Sequence, residues 1–461
     1  MLNHVIIGGS DAGISAALRI KELAPGDRVQ MILKDAYPNF SICGIPFFLS
    51  GEIEDWRTLS HRTIPEIEEA GIEIISGQEV ISIDPDSKNV VTATGSFRYD
   101  KLLLGTGATS VIPSIIGLDL PGVFTLRWID DMLVIEKFIL ENKPRRALII
   151  GGGYIGVEMA DALTRRGLNV TLIESGEAVL HTLDTVLGKK VGATMSDHGV
   201  NIVHRTRISR ITQAANELQV EGENGFQSNA DLIIVVTGAK PAATLLKEQG
   251  IKLGIQGAYK VNRQMQSSIP DIFVAGDCGE TWSCLLQDYA YMPLGTTAHK
   301  QGRVAGENMA GGRRSFQGSV GTQVVKVFDI VAGRTGFHDR DCEKHNIPSL
   351  TVESTHWDHK VYYPGAQRIV IRLTGNSQTG DLLGMQIIGP VTTEVSKRID
   401  IAACAIQNHY SVEQLMDLDL SYTPPLSSPW DPVQMAAQAW LKEMRSMQSM
   451  QNVSINSDIN T

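Results

Sequence analysis

The feature that most narrows the fold is a strand, a glycine turn and a helix written twice along the chain. Val5-Ile6-Ile7 runs into Gly8-Gly9-Ser10-Asp11-Ala12-Gly13, and residues 14–23 then carry helical periodicity with small residues on the side that would face a sheet. Ala147-Leu148-Ile149-Ile150, Gly151-Gly152-Gly153-Tyr154-Ile155-Gly156 and residues 157–166 repeat the plan. Such a unit places a pyrophosphate at a helix N-terminus. In the first copy Gly8 permits the tight turn, small Ser10 lets backbone N–H groups approach the phosphates, and Gly13 lets the helix close on the sheet. Two units imply two nucleotides.

The second copy continues into Val170-Thr171-Leu172-Ile173-Glu174, a strand ending in an acid 18 residues after Gly156. A carboxylate there accepts hydrogen bonds from both ribose hydroxyls and repels a 2′-phosphate, which favours NADH over NADPH. Apolar strands ending in Thr-Gly follow each unit, at Thr106-Gly107 and Thr237-Gly238. Ile272-Phe273-Val274-Ala275-Gly276-Asp277 is a further strand ending in a carboxylate, far along the chain from the first unit. These repeats predict an α/β protein with a first nucleotide domain at 1–115 and 250–320, interrupted by a second at 116–249. From residue 321 the texture changes to strands at 324–328, 368–373 and 382–389 and a helix at 392–407, with no further nucleotide turn. An α+β domain is expected over 321–445, with Ala402, Ala403 and Ala405 suited to packing against a partner. The polar stretch 446–461 is expected to be disordered.

Cys43 stands alone in Asn39-Phe40-Ser41-Ile42-Cys43-Gly44-Ile45-Pro46, 30 residues after Gly13. The next cysteine is Cys278, so redox chemistry at Cys43 is that of a single thiol, cycling between thiolate and sulfenic acid or mixed disulfide. Five cysteines at irregular spacing form neither a secreted disulfide framework nor a metal pattern. Cys278, Cys284, Cys342 and Cys404 are therefore expected to pack in cores, and no metal is expected. The net charge of −10, with no polybasic block, argues against nucleic acid or an anionic membrane as partner. No apolar run reaches the ~18 residues of a membrane span, and a strand beginning at His4 leaves no room for a signal peptide, so a cytoplasmic protein is expected.

With these pieces in place, the chain up to residue 445 resembles the FAD- and pyridine-nucleotide-dependent disulfide oxidoreductases. Within them it is similar to the single-cysteine branch: coenzyme A-disulfide reductase, NADH oxidase, NADH peroxidase and NADH-dependent persulfide or polysulfide reductase. The matching segments are Phe40 with Cys43-Gly44-Ile45-Pro46, Gly151-Gly152-Gly153-Tyr154-Ile155-Gly156-Val157-Glu158, Ala275-Gly276-Asp277-Cys278, and the run at 293–303 that begins Pro293-Leu294-Gly295-Thr296-Thr297. The resemblance implies FAD in the first domain, NADH in the second, and a homodimer made through the C-terminal domain. It implies FAD contacts at Gly8, Ser10, Ala12, Gly13, Lys34, Asp35, Thr106, Gly107, Pro293, Thr296 and Thr297. Asp277 would bind the ribityl chain, and the helix opened by Thr296-Thr297 would aim its positive end at the flavin. NADH contacts are implied at Gly151, Gly153, Ile155, Gly156, Glu174 and Gly238, with Tyr154 gating the nicotinamide and Glu158 as the carboxylate beside the flavin.

Within the branch, Asp11 stands where the oxidases and peroxidases carry a histidine that supports their sulfenic acid, and an anion cannot take that role. Val361-Tyr362-Tyr363-Pro364-Gly365 and Leu420-Ser421-Tyr422-Thr423-Pro424-Pro425 resemble the coenzyme A-disulfide and persulfide reductases, whose tyrosines reach the other subunit's cysteine. That likeness assigns Tyr362 and Tyr422, with Tyr363 the alternative for a one-residue slip, and Pro424-Pro425 reads as a rigid turn. Arg19, Lys21 and Arg62 are the cations available to coenzyme A phosphates, with Asn39 also at the substrate. The chain departs from the branch at Asn39 and Ile42, which replace a serine and an asparagine, and at Glu22, which replaces a basic residue. Leu33 stands where the second strand usually ends in glutamate, so that either Asp35 reaches the FAD ribose by a shifted register or that contact is missing. The expected activity is reduction by NADH of a disulfide, persulfide or polysulfide. The Cys43 thiolate, stabilised by a helix beginning near Gly44, attacks the substrate sulfur and Tyr422 protonates the leaving thiol. An NADH oxidase or peroxidase using a sulfenic acid, and an NADH-responsive flavoprotein sensor with negligible turnover, are the alternatives.

Overall fold

Ile75, Ile32, Ile7, Leu104 and Val274 end five neighbouring parallel strands at one edge of a sheet, and the first nucleotide turn springs from that edge. In the computed structural model, which describes residues 1–214 and 217–459, this sheet runs in the order Ile272–Val274, Lys101–Leu104, Asn3–Ile7, Arg28–Ile32, Ile72–Ile75. The strand at Ile272–Val274 rejoins the sheet begun at Asn3, so the first nucleotide domain is interrupted by the second. Its strands are near-continuous apolar runs, as befits a sheet buried on both faces.

The chain separates into two compact units, one of 1–151, 162–171 and 207–319, the other of 152–161, 172–206 and 320 onward. In the first unit the helix Asp11–Leu23 packs along the helix Gly295–Met309. Small residues set how closely they approach: a Cβ on Gly302 would lie 2.2 Å from the Ala12 carbonyl oxygen, and one on Gly306 would lie 2.4 Å from that of Ala16. Val5, Ile6, Ala17, Ile20, Leu103 and Ala305 fill the core beneath them. A second five-stranded sheet has the order Asn201–Val203, Asn169–Ile173, Arg146–Ile150, Leu232–Val235, Val123–Thr125. Its strands Arg146–Ile150, Leu232–Val235 and Val123–Thr125 pair in parallel, the Rossmann-like arrangement that the repeated glycine turn predicts.

The second unit is built on an antiparallel sheet, Gln323–Val327, Ile330–Gly336, Leu382–Pro390, Arg368–Asn376, Ser349–Trp357. Helices Val395–Gln407 and Pro432–Ile459 cover it, and Trp440 is fully buried with its indole N–H donating to the Leu350 carbonyl at 2.7 Å. Three expectations are corrected here. Ala402 and Ala405 are buried within their own unit, where the helix Val395–Gln407 lies on the sheet, because the apolar stripe of that helix is needed by its own core. Cys404 is exposed on the same helix, while Cys278, Cys284 and Cys342 are buried. The helix Pro432–Ile459 runs through most of the stretch expected to be disordered, and neither Gly nor Pro interrupts it there. Among the described residues no helix is long and apolar enough to cross a membrane.

The helix pair sets a clear test. In Gly302→Ala the new methyl meets backbone rather than a flexible side chain, so the variant is expected to lose about 2 kcal/mol of unfolding free energy by chemical denaturation. An unchanged midpoint would show that the two helices can separate without cost.

Candidate active site

The first glycine turn is shaped for a close-approaching ligand. Gly8 has φ +101°, and a Cβ there would lie 2.2 Å from the Gly105 carbonyl oxygen, while one on Gly13 would lie 1.9 Å from the Gly8 oxygen. Ser10 precedes the helix in an extended conformation, and its side chain caps none of the first-turn N–H groups. Ala12 is buried behind the turn. A small-residue cradle opening on an uncapped helix N-terminus fits the pyrophosphate of FAD.

Leu33 is buried with its side chain under Gly9, where a Cβ would come within 2.4 Å of Leu33 Cδ2, so it serves packing. Lys34 is exposed and paired to Glu79 at 2.8 Å. Asp35 is half-buried and accepts the Tyr37 N–H at 2.8 Å, and burial raises its carboxyl above the usual range. Thr106 donates to the Ala242 carbonyl at 2.7 Å, and Gly107 has φ +68°.

Asp277, read as the ribityl ligand, is half-buried and ion-paired to Arg127 at 2.8 Å. Burial raises its carboxyl, and Arg127 opposes the shift. Arg127 escapes a reading of the sequence because its partner lies 150 residues away. The only local signal is that it precedes an Asp-rich helix start, where the Asp131 carboxylate accepts its backbone N–H at 2.8 Å. Arg127 Nε and the Tyr291 hydroxyl are buried beside Asp277 without a hydrogen-bond partner among the described residues. Two orphaned donors around one carboxylate fit a site that receives a polar group such as the hydroxylated chain of FAD. The helix Gly295–Met309 starts near Asp11: a Cβ on Gly295 would lie 3.0 Å from Asp11 Oδ2. Thr297 is buried with its hydroxyl bonded to that of Ser319 at 3.2 Å, while Pro293 and Thr296 are exposed. Asp11 is half-buried and raised by that burial, with His61 and His299 pulling it back and Asp277 adding to the rise.

The cysteine segment is tied to the same turn. Asn39 is buried in the left-handed region at φ +54°, donates its N–H to the Gly9 carbonyl at 2.7 Å, and accepts the His61 N–H on its own carbonyl at 3.0 Å. Tyr37, Phe40 and Trp56 form a ring cluster around it, with centroids 5.4 to 6.5 Å apart. Cys43 is exposed on the 3₁₀ turn Ile42–Gly44, whose Gly44 packs on Leu59. The helix expected near Gly44 is the single turn and a half of Ile45–Leu49, so its dipole is a minor contribution beside the placement of the loop. Of the three candidate cations, Arg19 is ion-paired to Glu22 at 2.7 Å and Glu307 at 2.6 Å, and Lys21 donates to the Pro25 and Asp27 carbonyls at 2.8 Å each. Arg62 is exposed on the loop that bonds to the cysteine segment through His61.

At the second turn Gly151 has φ +115° with the Val236 oxygen 2.5 Å from where its Cβ would be, and Gly238 has φ +126°. Gly153 faces open space, Ile155 is half-buried and Gly156 buried. Glu174 is buried, and its two oxygens accept the N–H of Gly152 at 2.8 Å and of Gly176 at 2.6 Å. Tyr154 is half-buried; burial raises its phenol, Glu158 adds to the rise, and the Thr182 hydroxyl and Arg334 oppose it. Glu158 is pushed up to about 7, first by burial and then by Asp161, against the pull of Lys326.

In the second unit the two tyrosine loops meet. The Lys360 N–H reaches the Pro424 carbonyl at 3.4 Å, and the neighbouring Tyr362 raises the Tyr422 phenol. Tyr362 is 73% exposed and Tyr422 43%, beside Lys360 lying 4.9 Å over the Trp430 ring. Tyr363 instead turns its ring edge toward His359.

Residues 2–302 match the pyridine nucleotide-disulphide oxidoreductase family and residues 322–432 its dimerisation domain. The chain is 32% identical to the NAD(P)H coenzyme A polysulfide/persulfide reductase of Pyrococcus horikoshii, over 93% of this chain and 96% of that one. It is also 32% identical to an NADH oxidase of Methanocaldococcus jannaschii, over 96% and 99%. Among solved structures it is similar to an NAD-dependent persulfide reductase from A. fulgidus, with TM-score 0.93, 32% identity, and 97% and 84% of the two chains covered. The chain therefore belongs to the pyridine nucleotide-disulphide oxidoreductase family, whose members carry FAD and a pyridine nucleotide. It is an oxidoreductase with the two nucleotide domains and the dimerisation domain of that family.

Glu158 supplies a test of the site's electrostatics. A carboxyl raised from 4.5 to about 7 on folding favours the native state while protonated, and that contribution is lost as pH rises from below 4.5 through about 7. Wild type should therefore lose ~2 kcal/mol relative to Glu158→Gln between pH 5 and pH 8, read as diverging melting temperatures of the FAD-loaded proteins. A constant difference across that range would place the titration elsewhere.

Proposed function

We propose that the protein is an NADH-dependent reductase of a small-molecule disulfide, persulfide or polysulfide, working as a homodimer with FAD held in the first nucleotide domain. The observation that carries this reading is the exposed Cys43, solitary in its segment, on a loop pinned through Asn39 to the carbonyl of Gly9 in the pyrophosphate turn. Gly8, Ser10, Ala12, Gly13, Thr106, Gly107 and Asp277 with Arg127 would hold FAD, Asp35 its ribose, and the start of the helix Gly295–Met309 its ring end. Gly151, Gly153, Ile155, Gly156, Glu174 and Gly238 would hold NADH, with Tyr154 and Glu158 at the nicotinamide. When bound, FAD supplies an electron pair drawn from NADH to sulfur.

The chain's own residues do the rest. The Cys43 thiolate attacks one sulfur of the substrate; the new S–S bond forms as the old one breaks, and the departing thiolate needs a proton. Tyr422 of the second subunit donates it. Its phenol, raised by the neighbouring Tyr362, stays in the protonated form that a donor needs. Arg62, exposed beside the cysteine segment, is the cation best placed for a phosphate-bearing acceptor such as a coenzyme A disulfide, because Arg19 and Lys21 are committed to partners within the fold. Buried Glu174 supports NADH over NADPH. The likeness to an NADH oxidase raises the sulfenic acid alternative, and the half-buried carboxyl of Asp11 weighs against it.

Cys43→Ser should still bind FAD and still bleach its absorbance on anaerobic addition of NADH, while turnover with coenzyme A disulfide or sulfane sulfur falls by at least about 10³-fold. Retained turnover would remove Cys43 from the chemistry. Tyr422→Phe should lower kcat with the same acceptors by about 10²-fold and leave the NADH step untouched. Rapid oxygen consumption by wild type with no response to either sulfur acceptor would put the oxidase in its place.

A further inference from the structure

The acid that ends the second nucleotide strand is followed by a second, exposed one. Glu177 lies three residues beyond Glu174, at the far end of the loop whose Gly176 N–H is held by the Glu174 carboxylate at 2.6 Å. The carboxylate of Glu177 ion-pairs with Arg205 through one oxygen, and its other oxygen is 4.0 Å from Lys189 Nζ. All three side chains are exposed. Arg205 is also fixed by its backbone: it sits in the left-handed region at φ +51°, with its N–H donating to the Gly176 carbonyl at 3.0 Å. The next N–H, of Thr206, donates to the Glu174 carbonyl at 3.2 Å. Two cations thus flank the tip of the loop that carries the ribose-reading acid, on a backbone clamped to that loop.

A guanidinium beside the acid position is the usual receptor for the 2′-phosphate of NADPH. We propose that Glu177 is a specificity-determining residue for the pyridine nucleotide: by pairing with Arg205 and Lys189 it cancels the cations that would otherwise receive a 2′-phosphate at the Glu174 loop. The inference rests on the reading of this turn as the NADH site. Selectivity then has two separate sources. Glu174, buried and locked by two backbone N–H groups, repels the phosphate directly, whereas Glu177 withholds the charge that could offset that repulsion. Because the Glu177 pairs are solvent-exposed, each contributes little to stability, and their effect falls on the ligand.

The test is calorimetric titration of the FAD-loaded protein with 5′-AMP and with 2′,5′-ADP, which differ only in the 2′-phosphate. In Glu177→Gln the affinity for 2′,5′-ADP relative to 5′-AMP should rise about tenfold, the worth of a charge-assisted guanidinium–phosphate contact that Glu177 no longer opposes, partly screened by solvent. The gain should vanish in the double variant Glu177→Gln/Arg205→Gln and shrink at high salt. If wild type binds 5′-AMP but Glu177→Gln shows no relative gain, or keeps the gain without Arg205, the latch is overturned and the nucleotide site stands. If wild type binds neither probe, the NADH reading of the turn falls and takes the inference with it.

Discussion

The first unit depends on how closely backbone can approach backbone at the carboxyl edge of its parallel sheet. Gly8 lies against the Gly105 carbonyl, Gly13 against the Gly8 carbonyl, and Gly302 against the Ala12 carbonyl, at separations where a Cβ would come within 2.2 Å of oxygen. That chain of contacts holds a strand end, a helix start and a second helix in one rigid corner. A nucleotide pyrophosphate needs such a corner because its negative charge is met there by backbone N–H groups rather than by a lysine or arginine. The cysteine loop inherits its position from the same corner, since Asn39 hangs from Gly9 and carries Cys43 four residues further on. The Cys43 sulfur, proposed as the reactive one, is therefore placed by the geometry of a turn whose small-residue cradle fits a nucleotide pyrophosphate.

Carboxyl groups recur throughout the site, and they are managed in different ways. Glu174 has both oxygens on backbone N–H groups, Asp277 has a guanidinium, and Glu158 has burial opposed only by a lysine. The first two are held in fixed geometry. Glu158, with its titration lifted toward neutrality by burial and Asp161, is a carboxyl whose charge can change near neutral pH, which suits the place beside the flavin proposed for it.

Much of this is legible in the sequence, and the reasons differ by element. The glycine turns, Glu174 and the return of Ile272–Val274 to the first sheet can be read because steric necessity writes them locally, as a glycine or an acid at a fixed offset from an apolar run. Arg127 is not legible because its meaning lies in a carboxylate 150 residues away. Arg19 and Lys21 look like free cations on a helix face, yet Glu22 and Glu307 take the first and the carbonyls just beyond the helix end take the second. The C-terminal helix misleads in the opposite direction: a stretch rich in Ser and Asn signals disorder, yet it continues a helix begun at Pro432 and holds neither Gly nor Pro to stop it.

The residues proposed to do chemistry are those on which the fold makes the fewest demands. Tyr362, Tyr422 and Cys43 are exposed, while the groups that position them, Asn39, Gly44 and the Pro424 carbonyl, are buried or bonded. An exposed phenol pair contributes little to the stability of its own unit. As the proposed proton donor for a departing thiolate, Tyr422 would have to stay protonated until needed, which its raised phenol favours, and to meet a sulfur arriving from outside the unit, which exposure allows. On the proposed reading, the exposed tyrosines and the exposed Cys43 would each await a group brought by another surface, in keeping with a chain that carries a dimerisation domain.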